Sequence, residues 1–182
     1  MPLIIRDTLF PEVKIISGTR FRDERGFFVE KYNEKEYLEL GIPRFVQDNM
    51  SESSLGVIRG MHWQIDPEAQ GKLVTCLSGS ILDIILDVRK DSSTFGTSVA
   101  LDLTSDNDDC VWIPSGFAHG FQALSDSTRV HYKVTNFWSK ECERSINPLD
   151  NDLKLPWKDL TPIISHKDAE ALSISQIFND TL

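Results

Sequence analysis

Short apolar segments recur along the middle of the chain, and residues that favour turns separate them. Six of these segments predict β-strands, at 72–77, 81–88, 97–103, 110–113, 121–124 and 128–134. Gly, Pro, Asn, Asp and Ser lie between them, as in 78–80 and 114–116. Many short strands with turn signals at this spacing indicate a β-sandwich or barrel.

Helical signals are sparse. Asn33 followed by Glu36 resembles a capping box, and this segment runs to Gly41 with Pro43 beyond it. A second short helix is predicted over 167–172, and the last ten residues resemble a polar tail with a few apolar anchors. The pattern therefore predicts an all-β protein with a few short peripheral helices.

Alternation within two strands predicts which side chains face the interior. In the strand over 81–88, Asp83 shares a face with apolar side chains, so we expect a buried carboxylate there. In 128–134, Tyr132 likewise shares an apolar face, whereas His131 points to the opposite side. Tyr132 is therefore a candidate interior hydroxyl, and His131 is expected to be solvated.

Composition is that of an ordinary globular protein. The chain has 182 residues, 40% hydrophobic and 26% charged, and its formal net charge is -9. Such a chain has no general attraction for nucleic acid or an anionic membrane, so an anionic ligand would need a local cluster of bases. No apolar run approaches the ~20 residues of a membrane span, and no signal-peptide pattern is present. We expect one cytoplasmic domain over 1–182 with a core barrel at about 45–140.

The three cysteines are Cys76, Cys110 and Cys142. They are far apart, odd in number and lack the spacing of a metal site. We therefore expect reduced and mostly buried thiols rather than disulfides.

Two of the four histidines, His62 and His119, lie in unusual glycine-containing segments. The Pro-x-Gly-x-x-His spacing that ends at His119 is half of a metal-binding pattern found in cupins. The other half needs a His-x-His pair and a downstream Glu, whereas this chain has His62, Trp63 and Gln64, followed by Lys72. A lysine ammonium has no lone pair to give a metal, so the sequence favours a cupin-like barrel without one.

A metal-free barrel that contains His, Tyr and Lys fits proton transfer at carbon. Removing a proton next to a carbonyl needs a base, a donor to the enolate oxygen and an acid on the opposite face. Histidine suits the base, because its unperturbed pKa is about 6.5. Lys72 suits the enolate oxygen, and Tyr132 suits the donor on the far side.

These residues stand in motifs that resemble the dTDP-4-dehydrorhamnose 3,5-epimerases and their deoxysugar relatives. The resemblance covers nearly the whole chain, from Asp23 to Asp168. Its ordered blocks are DERGFFVE (23–30), FVQDNMS (45–51), GVIRGMHWQ (56–64), QGKLV (70–74), DIILDVR (83–89), STFG (93–96), WIPSGFAHGF (112–121) and SHKD (165–168).

The resemblance implies a jelly-roll β-barrel of cupin type (a double-stranded β-helix) that works as a homodimer without metal or organic cofactor. It implies His62 as the base, Asp168 as its carboxylate partner, Tyr132 as the proton donor and Lys72 at the enolate oxygen. The substrate-binding positions that it implies are Arg25, Glu30, Gln47, Asn49, Arg59, His119, Trp138, Glu143 and Lys167. Strand parity adds Asp83, an interior acid that we expect to orient His119 or Lys72.

The implied reaction is cofactor-independent epimerisation of a dTDP-linked 4-keto-6-deoxyhexose, through an enolate, in dTDP-L-rhamnose-type deoxysugar biosynthesis. Departures from the family motifs leave C3, C5 or both open. Phe137 and Trp138 stand where two tyrosines are common, Met61 replaces a common Leu, and Trp63 replaces a common Tyr. Two rival hypotheses are a metal-dependent cupin enzyme, which elemental analysis would detect, and a non-catalytic nucleotide-sugar-binding module, which would bind dTDP without proton exchange.

Overall fold

The computed structural model describes residues 3–179, which form thirteen strands and three short helices. The strands are β1 (Ile4–Asp7), β2 (Lys14–Ser17), β3 (Arg20–Asp23), β4 (Gly26–Val29), β5 (Gln47–Ser53), β6 (Ile58–Gln64), β7 (Lys72–Ser78), β8 (Ser80–Asp87), β9 (Ser98–Thr104), β10 (Asp109–Ile113), β11 (Phe117–Ala123), β12 (Thr128–Val134) and β13 (Glu143–Ser145). The helices are α1 (Glu34–Glu39), α2 (His166–Ala169) and α3 (Ile174–Asn179).

Eleven of these strands form two antiparallel sheets, in the orders β1-β2-β10-β7-β12-β5 and β13-β6-β11-β8-β9. Strands β3 and β4 pair separately as a two-stranded sheet. Two stacked antiparallel sheets are the architecture of a jelly-roll barrel, so the all-β prediction is confirmed. The sheets also include β1, β2 and β13, which lie outside the 45–140 interval predicted for the core barrel.

The main core lies between the two sheets. Val74 and Val130 of the six-stranded sheet and Ile81 and Phe121 of the five-stranded sheet belong to one buried cluster. Burying each such side chain contributes roughly 1.5–3 kcal/mol to folding. Tyr37 of α1 belongs to a second cluster, which also contains side chains of β2, β7 and β10.

Strand β12 has the predicted bounds, whereas other elements differ. The strand predicted at 121–124 begins at Phe117, and α2 is shorter than the helix predicted over 167–172. A helix, α3, forms over 174–179 within the expected polar tail, because its apolar side chains pack against the barrel, and residues 180–182 of that tail lie outside the described residues. The ring centroids of Phe178 and Phe95 lie 4.9 Å apart. Asn33 caps α1 as predicted, its side chain accepting a hydrogen bond from the Lys35 amide.

The described part of the chain contains no helix that is both long and apolar enough to cross a bilayer. All three cysteines are free and buried, as predicted.

Candidate active site

A cavity of about 600 Å³ lies between the two sheets. Strands of both sheets contribute to its lining, together with α2 and the residues around Trp138. The lining includes His62, Lys72, Tyr132 and Asp168, which are the four positions that the sequence analysis assigned to chemistry.

His62 on β6 and His119 on β11 are direct neighbours across the two strands. The chain approaches itself very closely beside them. Gly60 has φ +139, and a Cβ atom there would lie 2.5 Å from the Gly120 Cα. Only glycine at 60 fits this backbone and this contact, which explains the Gly60 of the motif and brings both imidazoles to one wall of the cavity.

The imidazole of His62 donates a hydrogen bond from Nε2 to Oδ1 of Asp168 over 2.6 Å. Asp168 is buried and lies in α2, where the Ser165 hydroxyl accepts a hydrogen bond from its amide. Burial raises the pKa of the Asp168 carboxyl, but the hydrogen bond and charge of His62 outweigh it and hold that pKa below its usual value. The carboxylate therefore remains charged and can stabilise an imidazolium at His62.

A second His-Asp pair lies beside the first. Nε2 of His119 donates to Oδ2 of Asp83 over 2.7 Å, and Asp83 is fully buried, as its strand parity predicted. Of the two partners expected for Asp83, the structure therefore pairs it with His119. Within residues 3–179, Oδ1 of Asp83 has no hydrogen-bond partner, so His119 is the group that fixes this carboxylate.

Lys72 and Tyr132 supply the remaining polar groups of this part of the cavity. Burial lowers the pKa of Lys72 to about 8, although the negative charge of Glu143 opposes the shift. Among the described residues the Lys72 ammonium forms no ion pair, so its charge is available to a ligand. Burial raises the pKa of Tyr132, which keeps its hydroxyl protonated and able to donate.

Two further cations line the cavity. Nε of Arg59 donates to the Ser53 hydroxyl over 3.0 Å, and Nζ of Lys167 lies 2.6 Å from Oε2 of Glu143. Side chains of the remaining predicted binding positions Gln47, Asn49 and Trp138 also line it. The cations Arg59, Lys72 and Lys167 form the local positive cluster that an anionic ligand requires in a chain of net charge -9.

Arg25 and Glu30 are not brought to this cavity. Arg25 lies in the turn between β3 and β4, its side chain is 85% exposed, and it pairs with Asp23. Glu30 follows β4 and accepts a hydrogen bond from the side-chain Nδ2 of Asn33. A single chain therefore brings seven of the nine predicted binding positions to the cavity, and Arg25 and Glu30 lie outside it.

Several lining residues were not predicted from the sequence, including Ser51, Gln64, Gln70 and Ser165. Gln64 lies two residues after His62 on β6, so parity would have placed both on one face. Ser51 shares parity with Gln47 and Asn49, but β5 is too polar for its alternation to stand out. Ser165 precedes α2 as its N-cap, a position that serine favours.

Across residues 3–179, no group of three or more His, Cys, Asp or Glu side chains is arranged to hold a metal ion. Nε2 of both His62 and His119 faces a carboxylate oxygen instead.

The chain is similar to known proteins over most of its length. The family model described as dTDP-4-dehydrorhamnose 3,5-epimerase matches residues 7–176. The dTDP-4-dehydrorhamnose 3,5-epimerase of Shigella flexneri is 46% identical over 164 residues, which cover 88% of this chain and 90% of that protein.

Two solved structures extend the comparison. dTDP-6-deoxy-D-glucose-3,5-epimerase from Legionella pneumophila, in complex with dTDP-4-keto-L-rhamnose, has a TM-score of 0.93 and 43% identity, covering 100% of this chain and 97% of its own. A 3'-monoepimerase from Streptomyces bikiniensis, in complex with dTDP-quinovose, has a TM-score of 0.87 and 26% identity, covering 92% and 87%.

Proposed function

The chain belongs to the dTDP-4-dehydrorhamnose 3,5-epimerase family, and we propose that it epimerises a dTDP-linked 4-keto-6-deoxyhexose at both C3 and C5. It is an isomerase. The similarity to a 3,5-epimerase at 46% identity, against 26% to a 3'-monoepimerase, favours action at both carbons.

The observation that carries the proposal is the hydrogen bond between His62 and a buried carboxylate in the cavity that also contains Lys72 and Tyr132. His62 removes the proton from a carbon next to the C4 ketone, and Asp168 stabilises the imidazolium that forms. The electron pair moves onto the C4 oxygen as an enolate, where the Lys72 ammonium stabilises the charge. Tyr132 then donates its proton to the carbon from the opposite face.

The same groups serve the second carbon. C3 and C5 both adjoin the C4 ketone, so the enolate chemistry is the same at each. Between the two steps His62 releases its proton to solvent, Tyr132 regains one, and the sugar ring must turn to present the other carbon.

Arg59 and Lys167 supply the positive charge that a diphosphate needs. We propose that His119, held by Asp83, donates to the same anionic part of the ligand. A histidine fixed by a buried carboxylate keeps one ring orientation, so less conformational freedom is lost when the ligand binds.

We also propose that the enzyme is a homodimer in which β3 and β4 dock on a second copy. Phe21, Phe27 and Phe28 of this sheet are 50%, 54% and 64% exposed, an unusual concentration of uncovered aromatic surface. The binding positions Arg25 and Glu30 belong to the same region. Docking on a second copy buries the aromatic rings and takes both polar residues to the partner's cavity.

Subunit mixing tests this dimer. Arg25→Ala and His62→Asn should each be inactive in pure form. If the cavity of one chain uses Arg25 of the other, mixed dimers contain one intact site, and an equal mixture should recover about one quarter of wild-type activity. Failure to recover activity in chains shown to exchange subunits would overturn the shared site.

Three free and buried cysteines fit a reducing compartment, and we propose that the enzyme acts in the cytoplasm, where disulfides are rare.

The reaction itself is tested with dTDP-4-keto-6-deoxyglucose in heavy water, followed by NMR. We expect deuterium at both C3 and C5 and inversion at both centres. His62→Asn should abolish wash-in, whereas the control His131→Asn, on the outer face of the six-stranded sheet, should retain it. Wash-in at one carbon would overturn double epimerisation, and no wash-in by the wild type would overturn the proposed chemistry.

A further inference from the structure

The carboxylate of Asp108 holds both ends of the β3–β4 hairpin, which we call the arm. Nη2 of Arg20, at the start of β3, donates to Oδ1 of Asp108 over 2.7 Å, and Nε of the same guanidinium donates to Oδ2. Nζ of Lys31, which lies two residues after β4, donates to Oδ1 over 3.0 Å. Asp108 therefore clamps the arm at its base.

This clamp is largely shielded from water. The side chains of Asp108 and Arg20 are 8% and 12% exposed, and Arg20 also donates to the Ser105 carbonyl over 2.9 Å. Burial raises the pKa of the Asp108 carboxyl, but the hydrogen bonds from Arg20 and Lys31 outweigh it and hold that pKa below its usual value. The carboxylate is therefore charged at neutral pH, and its two-pronged contact with a guanidinium fixes direction as well as distance.

The contacts continue from the base of the arm to its turn. The guanidinium of Arg20 lies 3.9 Å from the ring centroid of Phe27 on the facing strand. In the turn, Asp23 accepts a hydrogen bond from the Arg25 amide over 2.9 Å and pairs with the Arg25 side chain. The arm is therefore held along its length, from the clamped base to the turn that carries Arg25.

The arm itself stands open to solvent. Phe21, Phe27 and Phe28 are each at least half exposed, and Arg25 lies outside the lining of its own cavity. A shielded ion-pair network at the base of an exposed hairpin fixes the direction in which the hairpin projects. Since association is weakened by the freedom that an interface loses, an arm that is fixed in advance docks at a lower entropic cost.

We propose that Asp108 is a positioning residue for the active site of the other subunit, because it directs the arm so that Arg25 reaches that subunit's cavity. The inference rests on the proposed homodimer and deepens it. Asp108 does not line the cavity of its own chain, so its effect on the reaction is exerted on the neighbouring one.

Two substitutions test the clamp from its two sides. Asp108→Asn removes the charge and keeps the backbone, because asparagine also adopts the positive φ of 56 found here. Arg20→Met removes the guanidinium instead. Each should raise KM for dTDP-4-keto-6-deoxyglucose about tenfold with a smaller effect on kcat, because Arg25 is then placed less firmly. The double variant should be no worse than the more impaired single variant.

Subunit mixing separates an effect on the other subunit from damage within the chain. Well below KM, Asp108→Asn mixed equally with inactive His62→Asn should recover about one quarter of wild-type activity, because half of the dimers combine an intact base with an intact arm. If Asp108 acted on its own cavity, every site with a working His62 would stay impaired, and the mixture would give about one twentieth. That lower value would overturn the inference. Arg20→Met should complement His62→Asn in the same way.

Asp109→Asn is the matched control. Asp109 is the next residue along the chain and is also buried, but it pairs with Arg6 of β1 and with the Ser17 hydroxyl rather than with the arm. We expect this variant to lower the thermal midpoint and leave KM unchanged. An equal rise of KM would overturn the inference, because the effect would then follow from general destabilisation.

The outcomes separate the inference from the proposals on which it rests. A wild type without deuterium wash-in would contradict the proposed reaction. Failure of Arg25→Ala and His62→Asn to complement each other would contradict the shared site, and the inference would fall with it. If that pair complements but Asp108→Asn and Arg20→Met keep the wild-type KM, the inference alone is overturned.

Discussion

Nε2 of His62 lies 2.6 Å from Oδ1 of Asp168, although 106 residues separate the two in the chain. The backbone holds the pair together. Ile163 forms a parallel bridge to Val57, and its carbonyl accepts from the amide of Ile58 at the start of β6. The segment that leads to α2 is therefore attached to the strand that carries His62.

Replacing Asp168 by Asn should lower kcat by about 10²- to 10⁴-fold, because the hydrogen bond survives but the charge that stabilises the imidazolium is lost. Deuterium wash-in under substrate saturation measures the effect. The matched control is Asp48→Asn, which alters a His-Asp contact of 3.5 Å to His131 on the outer face of the sheet and should leave kcat unchanged. A wild-type rate in Asp168→Asn would contradict the role of the carboxylate.

Replacing Lys72 by Met should make the protein more stable and nearly inactive. At pH 7 the folded chain buries a charged ammonium without an ion pair, and removing it should raise the free energy of unfolding by about 1–3 kcal/mol. Activity should fall because the enolate loses its counter-charge. The control Lys133→Met, on the opposite face of β12 and paired with Asp48, should retain activity without added stability. Urea unfolding and wash-in rates give both readouts.

The same lysine gives a pH dependence. Its folded pKa of about 8 lies below the ordinary 10.5, so between these values the unfolded chain binds more protons than the folded chain. Wild-type stability should therefore rise relative to Lys72→Met as pH increases from about 8 to about 10. Over the same interval kcat should fall as the ammonium loses its proton. A stability difference that is constant with pH would show that Lys72 is not the titrating group.

Local patterns were sufficient for some elements of this fold and not for others. The alternation around Val130 and Val134 predicted β12 because one of its faces is buried. Strand β5 was missed because six of its seven side chains are polar, so neither the face that lines the cavity nor the outward face shows an apolar pattern. Helix α3 was missed because its few apolar side chains form no clear pattern along the chain. They pack against residues that are distant in the sequence, such as Phe95.

The candidate site shows the same division. Parity alone predicted that Asp83 is interior, and the structure selected His119 over Lys72 as its partner. The pairing of His62 with Asp168 came from the family resemblance, since no local pattern encodes a contact between distant segments. The position of Arg25 away from the cavity was not predictable, because a motif carries no information on where its residues lie in the fold.

Replacing Asp83 by Asn should raise KM about tenfold with a smaller effect on kcat, because the hydrogen bond to His119 then loses the negative charge that strengthens it, and the ring is fixed less firmly. Steady-state kinetics with the dTDP-sugar and binding of dTDP measure the change. His119→Asn should have at least as large an effect, and the double variant should be no worse than His119→Asn alone. Wild-type KM and dTDP affinity in Asp83→Asn would contradict this role.

Asp87 gives a prediction on stability in acid. It is fully buried and accepts hydrogen bonds from Arg89 over 2.9 Å and from the Ser92 and Thr94 hydroxyls over 2.6 Å each. Burial raises the pKa of this carboxyl, but these donors outweigh it and hold the pKa far below its usual value. Asp87→Asn should therefore lower the free energy of unfolding at pH 7 by about 1–3 kcal/mol, since it weakens the charge-assisted hydrogen bonds of this network, while Arg89 keeps its ion pair with Glu12.

Because the folded pKa of Asp87 is depressed, its contribution is complete above the unfolded value of about 3.9 and is lost as pH falls below it. Urea unfolding at pH 7, 5 and 3.5 should show an equal difference between wild type and Asp87→Asn at the first two values and a smaller one at the third. Asp7→Asn, which removes a surface ion pair to Lys14, should have a much smaller effect throughout. A difference that does not shrink in acid would mean that Asp87 stabilises the fold by packing alone. The charged network around Arg89 would then not contribute to the free energy of unfolding.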